Sequence, residues 1–325
     1  MIPGRPRLRP PTDDLDAAAR AIREGRLVVF PTETVYGLGA DALNAAAVRA
    51  IFAAKGRPVD NPLIVHLESA SLLDTVAADP SRVAHELFAR FAPGPLTLVV
   101  PALERVPREV TAGLATPSAN RSGEPSPTTV EMARRSLGEA VDVYLDGGAC
   151  EVGVESTVAA VADRGVTILR PGAVTGEDIC RAIPGIEVAY AGEAVEVGGA
   201  ALSPGIRHRH YQPRASVIVC DPEAGNDCAA ALVASLRGDE GPVALIGIAG
   251  AVERALSGAD PGKALEHALI RAAADADEYA RNLYRWFHEL DREGVTRIVA
   301  LAPPATGIGG AVRDRLARAG EPAEG

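Results

Sequence analysis

The sequence predicts a two-domain α/β protein, with a mixed α/β domain over residues 10–184 and a smaller parallel α/β domain over 215–320. Three observations predict this. The chain has 325 residues, too many for one ordinary small domain. Strand and helix patterns alternate in both halves. Between them, residues 185–214 are glycine-rich and aperiodic and end in SPGIRHRHYQPR, the composition of a linker.

In the first half, residues 13–24 place Leu15, Ala18, Ala19 and Ile22 on one helical face, with Gly25 as the stop. RLVVF (26–30) reads as a buried strand ending at Pro31. Asn44 is the N-cap candidate of a helix over 44–55, whose apolar face carries Val48, Ile51 and Phe52. Strands are expected at 62–67, 95–100, 141–146, 156–161 and 165–170, and helices at 81–91 and 128–137. In the second half, SVIVCD (216–221) is a strand, followed by a helix over 224–236 and a strand over 242–248. A long amphipathic helix is expected over 263–292, then a strand over 296–302 and a helix over 311–319. Such alternation over about 110 residues predicts a Rossmann-like domain.

Composition excludes several classes. Apolar residues make up 47% and charged residues 23%, the balance of a globular chain and not of a disordered one. A formal net charge of −10 disfavours a general nucleic-acid coat and leaves room only for a local basic pocket. The longest apolar runs, such as 242–251, are too short to span a bilayer, and the N-terminus lacks a secretory signal, so no membrane association is expected. Cys150, Cys180, Cys220 and Cys228 have neither CxxC spacing nor the density of a disulfide framework. A cytoplasmic protein is expected. The sequence holds no Walker A motif, HExxH motif, zinc-ligand pattern or GxSxG elbow. GIGGA (307–311) opens a helix, where it could cradle an anion or simply pack helix on strand.

Five segments carry chemistry. PTETVYGLGAD (31–41) follows a strand and reads as a loop, with Thr32, Thr34 and Tyr36 supplying hydroxyls and Gly37 and Gly39 allowing close approach of a ligand. KGRPVDNPLIVH (55–66) places Lys55 and Arg57 where a helix ends. Lys55 and Lys263 are the only lysines in a chain otherwise served by arginine, so Lys55 stands out. An ammonium and a guanidinium two residues apart suit a polyphosphate, although a helix C-terminus favours cations in any case. Asn61 adds a neutral donor and acceptor, and His66 falls within a strand. TPSANRSGEPSPTT (116–129) crowds Ser118, Asn120, Arg121, Ser122, Ser126, Thr128 and Thr129 into a proline-stiffened loop. EVGVESTV (151–158) starts a strand at Ser156, and ILRPGAV (168–174) puts Arg170 at the end of the next.

Together with PGPLTLVVP (93–101), these segments resemble the YrdC-like family of threonylcarbamoyl-AMP synthases across nearly all of residues 10–180. SPGIRHRHYQP, ARNLY (280–284) and GIGGAVRDRL (307–316) are similar to the long, two-domain form of that family. The resemblance implies a YrdC-type twisted mixed sheet with helices, a Rossmann-like C-terminal domain, and a linker closing over the site. It implies synthesis of an adenylate from L-threonine, bicarbonate and ATP, with Mg²⁺ accompanying ATP and no dedicated metal cage. A downstream tRNA threonylcarbamoyl transferase would use the product, and contact with RNA is a further expectation. By motif position, Thr34, His66 and Ser156 resemble threonine contacts. Arg57, Asn61, Asn120, Thr128, Arg170 and Arg207 resemble ATP contacts, with His208, His210 and Tyr211 as alternatives to Arg207. Lys55, Arg57, Ser118 and Asn120 form the implied catalytic set. A carbamoyl-transfer maturation factor would need an acylphosphatase-like segment and cysteine pairs, which this sequence lacks.

One departure bears on activity. The family runs from VTAGL through a strand of V-x-V-R-x-P type and a helix before reaching PSAN. Here VTAGLA (110–115) joins TPSAN (116–120) directly. The lost strand would bring a cation to the threonine carboxylate and ATP, so the resemblance implies impaired activity or folding. Two readings follow, a weakened synthase and an RNA-binding module without catalysis.

Overall fold

A computed structural model describes residues 11–58, 63–103, 114–191, 196–197, 200–201, 211–225, 227–236, 241–258 and 268–320. The chain divides into two units. The first comprises Met1–Ser122, Ser126–Glu151 and Glu155–His208; the second comprises Gly123–Pro125, Val152–Val154 and Arg209–Gly325.

In the first unit, α1 (Leu15–Arg23) starts where the Asp14 carboxylate accepts from Ala17 N at 2.9 Å. It leads to β1 (Val28–Phe30) and β2 (Gly37–Asp41). Asn44 caps α2 (Ala45–Lys55), accepting from Ala46 N and Ala47 N, and Gly56 ends it at φ 59°. Then come β3 (Val65–His66), α3 (Arg82–Phe91), β4 (Leu96–Val99), β5 (Leu114–Ala115), α4 (Val130–Leu137) and β6 (Val143–Tyr144). The unit continues through β7 (Thr157–Val161), β8 (Gly165–Arg170), α5 (Gly176–Ala182), β9 (Glu187–Tyr190) and the short pair β10 (Glu196–Val197) and β11 (Ala200–Ala201). The expected mixed sheet is present as two mixed sheets, ordered β3-β5-β2-β1-β6 and β4-β7-β8-β9.

Two segments differ from the sequence reading. Residues 37–41 were expected in a loop but form β2, in the middle of the first sheet. Gly37, one of the two glycines that suggested a loop, answers to crowding: a Cβ there would lie 2.3 Å from Thr116 Cγ2. The expected linker over 185–214 begins too early, because β9 pairs in parallel with β8 from Glu187 to Tyr190. That pairing spans two chain segments and leaves no local periodicity to read.

The second unit contains β12 (Ser216–Cys220), α6 (Cys228–Leu236), β13 (Val243–Ile248), α7 (Ala249–Gly258), β14 (Leu269–Ala273), α8 (Ala276–Arg292), β15 (Arg297–Leu301) and α9 (Gly309–Gly320). Its strands form one parallel sheet ordered β12-β15-β13-β14, as expected of a Rossmann-like domain. The long helix expected over 263–292 is a correction. Leu269–Ala273 is a strand paired with β13, and the helix starts only after Asp275, whose carboxylate accepts from Glu278 N at 2.8 Å. Alanine-rich sequence favours helix, but a parallel partner overrides that weak preference. The GIGGA turn packs closely: a Cβ on Gly309 would fall 2.0 Å from the Pro304 carbonyl oxygen. Among the described residues no helix is long and apolar enough to cross a membrane.

Tyr279 is fully buried on α8, and its hydroxyl has no hydrogen-bond partner among the described residues. Burial raises its pKa. A buried hydroxyl without a partner costs about 1–3 kcal/mol. Tyr279→Phe is therefore expected to raise the melting temperature by roughly 2–4 °C per kcal/mol recovered, read by thermal denaturation. A lower melting temperature would show that the hydroxyl is satisfied.

Candidate active site

The first unit holds a cavity of about 380 Å³ lined by Glu33, Thr34, His66, Thr97 and Ser156 on its polar side. Leu63, Val65, Leu73, Phe88, Leu96 and Val158 are among its apolar lining residues. The cavity thus brings together Thr34, His66 and Ser156, which stand 122 positions apart from first to last. They come from the loop after β1, from β3, and from the residue before β7.

Hydroxyls are fixed by their neighbours. Thr32 Oγ1 lies 2.9 Å from Thr34 Oγ1 and donates to the Val35 carbonyl at 2.6 Å. Ser156 Oγ lies 2.8 Å from Thr97 Oγ1 on β4. Tyr36, named for its hydroxyl, serves the scaffold: it is fully buried, donates to the Gly148 carbonyl at 2.7 Å and accepts from Gly147 N at 3.2 Å. Burial pushes its pKa up to about 12.

One cation meets this cluster at Ser156. Arg170, at the end of β8, is 4% exposed, and its Nε and Nη2 donate to the Ser156 carbonyl at 3.2 and 2.9 Å. Nη2 also reaches Ser156 Oγ at 3.3 Å. Arg57 is buried just beyond the C-cap of α2. Lys55 is 2% exposed, and its ammonium donates to the Ser118 carbonyl at 2.5 Å and to the Asn120 carbonyl. Its main-chain carbonyl accepts from Ser122 N at 2.8 Å. Lys55 therefore holds the Ser118–Asn120 loop from inside. Thr128 is buried, in a loop whose Pro127 carbonyl accepts from Tyr36 N at 2.8 Å.

Asn61, Arg207, His208 and His210 fall outside the described residues. Tyr211 belongs to the second unit's own packing: it is 5% exposed, its ring lies 5.4 Å from that of Tyr284, and the Arg315 guanidinium sits 5.5 Å above it. Glu155 and Thr97 were not singled out in the sequence. Glu155 had only its place in VESTV as a signal, and Thr97 only its place in PGPLTLVVP.

The His66 ring faces the cavity and meets Phe30 edge-on, with centroids 6.4 Å apart. The side chain is exposed on β3, yet the protein around the ring displaces part of its water and lowers its pKa from the ordinary 6.5. The unfolded chain then binds the proton more readily than the folded one. Stability is expected to fall as pH drops through 6.5 and to level off below the lowered value. Thermal melts over a pH series check this, and His66→Gln should flatten that part of the curve. An unchanged profile would mean that His66 titrates alike in both states.

Comparison with known proteins identifies this architecture. The family model described as "Telomere recombination" matches residues 20–116 and 111–172, and that described as "Threonylcarbamoyl-AMP synthase, C-terminal domain" matches 174–320. The threonylcarbamoyl-AMP synthase of Pyrococcus abyssi is 38% identical, over 93% of this chain and 92% of its own. The chain belongs to the threonylcarbamoyl-AMP synthase family. The synthase of Bacillus subtilis is 36% identical over 93% of this chain and 91% of its own. The crystal structure of P. abyssi Sua5 complexed with L-threonine matches with a TM-score of 0.80 at 36% identity, covering 94% of this chain and 93% of that one. As a member of the threonylcarbamoyl-AMP synthase family, the chain is an enzyme of nucleotidyltransferase type.

Proposed function

We propose that the chain makes L-threonylcarbamoyl-AMP from L-threonine, bicarbonate and ATP, and that a cytoplasmic transferase passes the threonylcarbamoyl group to a tRNA adenosine beside the anticodon. The observation that carries this reading is the cavity where Thr34, His66 and Ser156 gather, with the Arg170 guanidinium bound to Ser156. A P. abyssi relative that covers nearly the whole chain has been crystallised with L-threonine, which supports the same ligand here.

In this reading Thr34, His66 and Ser156 hold threonine, while Arg57, Asn120, Thr128 and Arg170 hold ATP. Asn61 and Arg207 remain proposed ATP contacts by motif position. The threonine amine attacks the bicarbonate carbon and water leaves, giving a carbamate. A carbamate oxygen then attacks the α-phosphorus of ATP, and the bond to the departing pyrophosphate breaks. Two anions must meet, so buried guanidinium groups and rigid positioning do most of the work. Lys55 acts by fixing the loop that carries Ser118 and Asn120. Mg²⁺ would enter with ATP, held by phosphate oxygens and water.

The junction at 115–116 weakens this activity. β5 ends at Ala115, paired with β2 and β3, and the chain enters TPSAN at once. The first family model matches in two pieces that meet at 111–116, which supports a lost internal segment. Losing a cation that faces a carboxylate reduces affinity and turnover. Pyrophosphate release, followed with ATP, L-threonine, bicarbonate and Mg²⁺ and with each omitted in turn, tests the proposal. Release is expected to need both threonine and bicarbonate and to run slower than in the P. abyssi relative. No release from a folded, ATP-binding chain would overturn it and favour an RNA-binding role.

A further inference from the structure

Glu155 and Ser126 lie 29 residues apart, both buried, and neither belongs to the proposed threonine or ATP contacts. Ser126 is fully buried and donates its hydroxyl to Glu155 Oε1 at 2.5 Å. That length is the one expected of a hydroxyl bonded to a carboxylate, among the stronger side-chain bonds. A carboxylate only 7% exposed is costly to bury, so its partners matter more than those of a surface glutamate.

The bond joins two parts of the site. Glu155 directly precedes Ser156, which is held by Thr97 and Arg170, and Thr157, whose N donates to the Pro95 carbonyl at 2.9 Å and whose Oγ1 donates to the Val174 carbonyl at 2.7 Å. This end is pinned many times over. Ser126 begins the segment Ser126-Pro127-Thr128, which is held by Tyr36 N on Pro127 and by Cys150 N on the Thr128 carbonyl at 3.0 Å. Thr128 Oγ1 also reaches Met132 Sδ of α4 at 3.6 Å; these ties run to α4 and to loop main chain, and the Glu155 bond ties this end to the chain that leads into the strand starting at Thr157.

We propose that Glu155 is a positioning residue that fixes the Ser126–Thr128 loop, and with it the nucleotide side of the site, against the strand bearing the threonine-side Ser156. The inference rests on the proposed roles of Thr128 and Ser156. It predicts an asymmetry. Breaking the bond loosens the loop and leaves the strand in place, so ATP binding suffers and threonine binding does not.

The test uses the full chain and the variants Glu155→Gln, Ser126→Ala and the double variant, with melting temperatures recorded for each. Isothermal titration with ATP and, separately, with L-threonine gives the two dissociation constants. Amide hydrogen exchange without ligand reports on residues 126–129 and on Thr157–Val161. Each single variant is expected to weaken ATP binding about tenfold, as loss of one charge-assisted hydrogen bond does. Threonine binding should stay within about twofold, and the double variant should be no worse than the poorer single within about twofold. Exchange should quicken at 126–129 and not at 157–161. Equal weakening toward both ligands would overturn the proposal, as would multiplying effects in the double variant or unchanged exchange in the loop. Exchange needs no ligand, so a chain that binds no ATP would sink the proposed function separately. Ser126→Ala supplies the same readouts should Glu155→Gln fail to fold.

Discussion

Lys55→Met is expected to lower stability by about 2–4 kcal/mol and to weaken ATP binding at least roughly tenfold. Methionine is close to lysine in volume, so the change removes a charge and its hydrogen bonds without opening a large cavity. The ammonium is 2% exposed and serves the carbonyls of Ser118 and Asn120, 63 and 65 residues away. Without it those carbonyls lose a cationic donor in a place that water reaches poorly, and each loss is charged at the cost of a buried polar group. The loop carrying Ser118 and Asn120 then loses its anchor to α2. For a protein of this size the melting temperature should fall by roughly 5–15 °C. Thermal denaturation and ATP titration check both effects. A variant that melts with the native protein and binds ATP equally well would show that Lys55 is not the anchor of this loop.

Arg170→Ala is expected to cut kcat/KM by about 10²–10³, the usual effect of removing one donor from a preorganised anionic site. The guanidinium lies at the end of β8, 4% exposed, and grips the Ser156 carbonyl with two nitrogens. In the proposed reaction its loss removes a cation from the place where the carbamate approaches the polyphosphate, and it frees the main chain that carries Ser156. Arg170→Lys should recover little, because a single ammonium cannot reproduce the planar fork. Initial rates of pyrophosphate release over a range of threonine and ATP concentrations measure the change, with melting temperatures as the control for folding. A lysine variant with native kcat/KM would reduce Arg170 to a point charge.

How much of this was legible in the sequence depends on the range of the interaction concerned. The start of α2 was readable because Asn44 acts on backbone groups two and three residues away. The strand at Gly165–Arg170 was readable from its own β-branched residues. β2 was hidden, because a glycine demanded by the Thr116 side chain, Gly37, looks the same as a glycine of a turn. β14 was hidden by an alanine-rich composition that only its pairing with β13 overrides. In the site, the rarity of lysine marked Lys55 as a cation suited to a polyphosphate; the structure has it buried, with its ammonium on the Ser118 and Asn120 carbonyls. Its targets on the Ser118–Asn120 loop are non-local and leave no spacing to read. The tie between Ser126 and Glu155 likewise joins two motifs whose order along the chain says nothing about contact.

The most direct measurement uses ¹³C-labelled bicarbonate with ATP, L-threonine and Mg²⁺, and follows the products by mass spectrometry. The proposed chemistry puts the bicarbonate carbon into the carbamoyl group, between the threonine nitrogen and the AMP phosphate. The expected result is a threonylcarbamoyl adenylate carrying the label, formed with one pyrophosphate per adenylate and more slowly than by the P. abyssi relative. A chain that is folded and binds both ATP and threonine, yet forms no labelled adenylate, would contradict it.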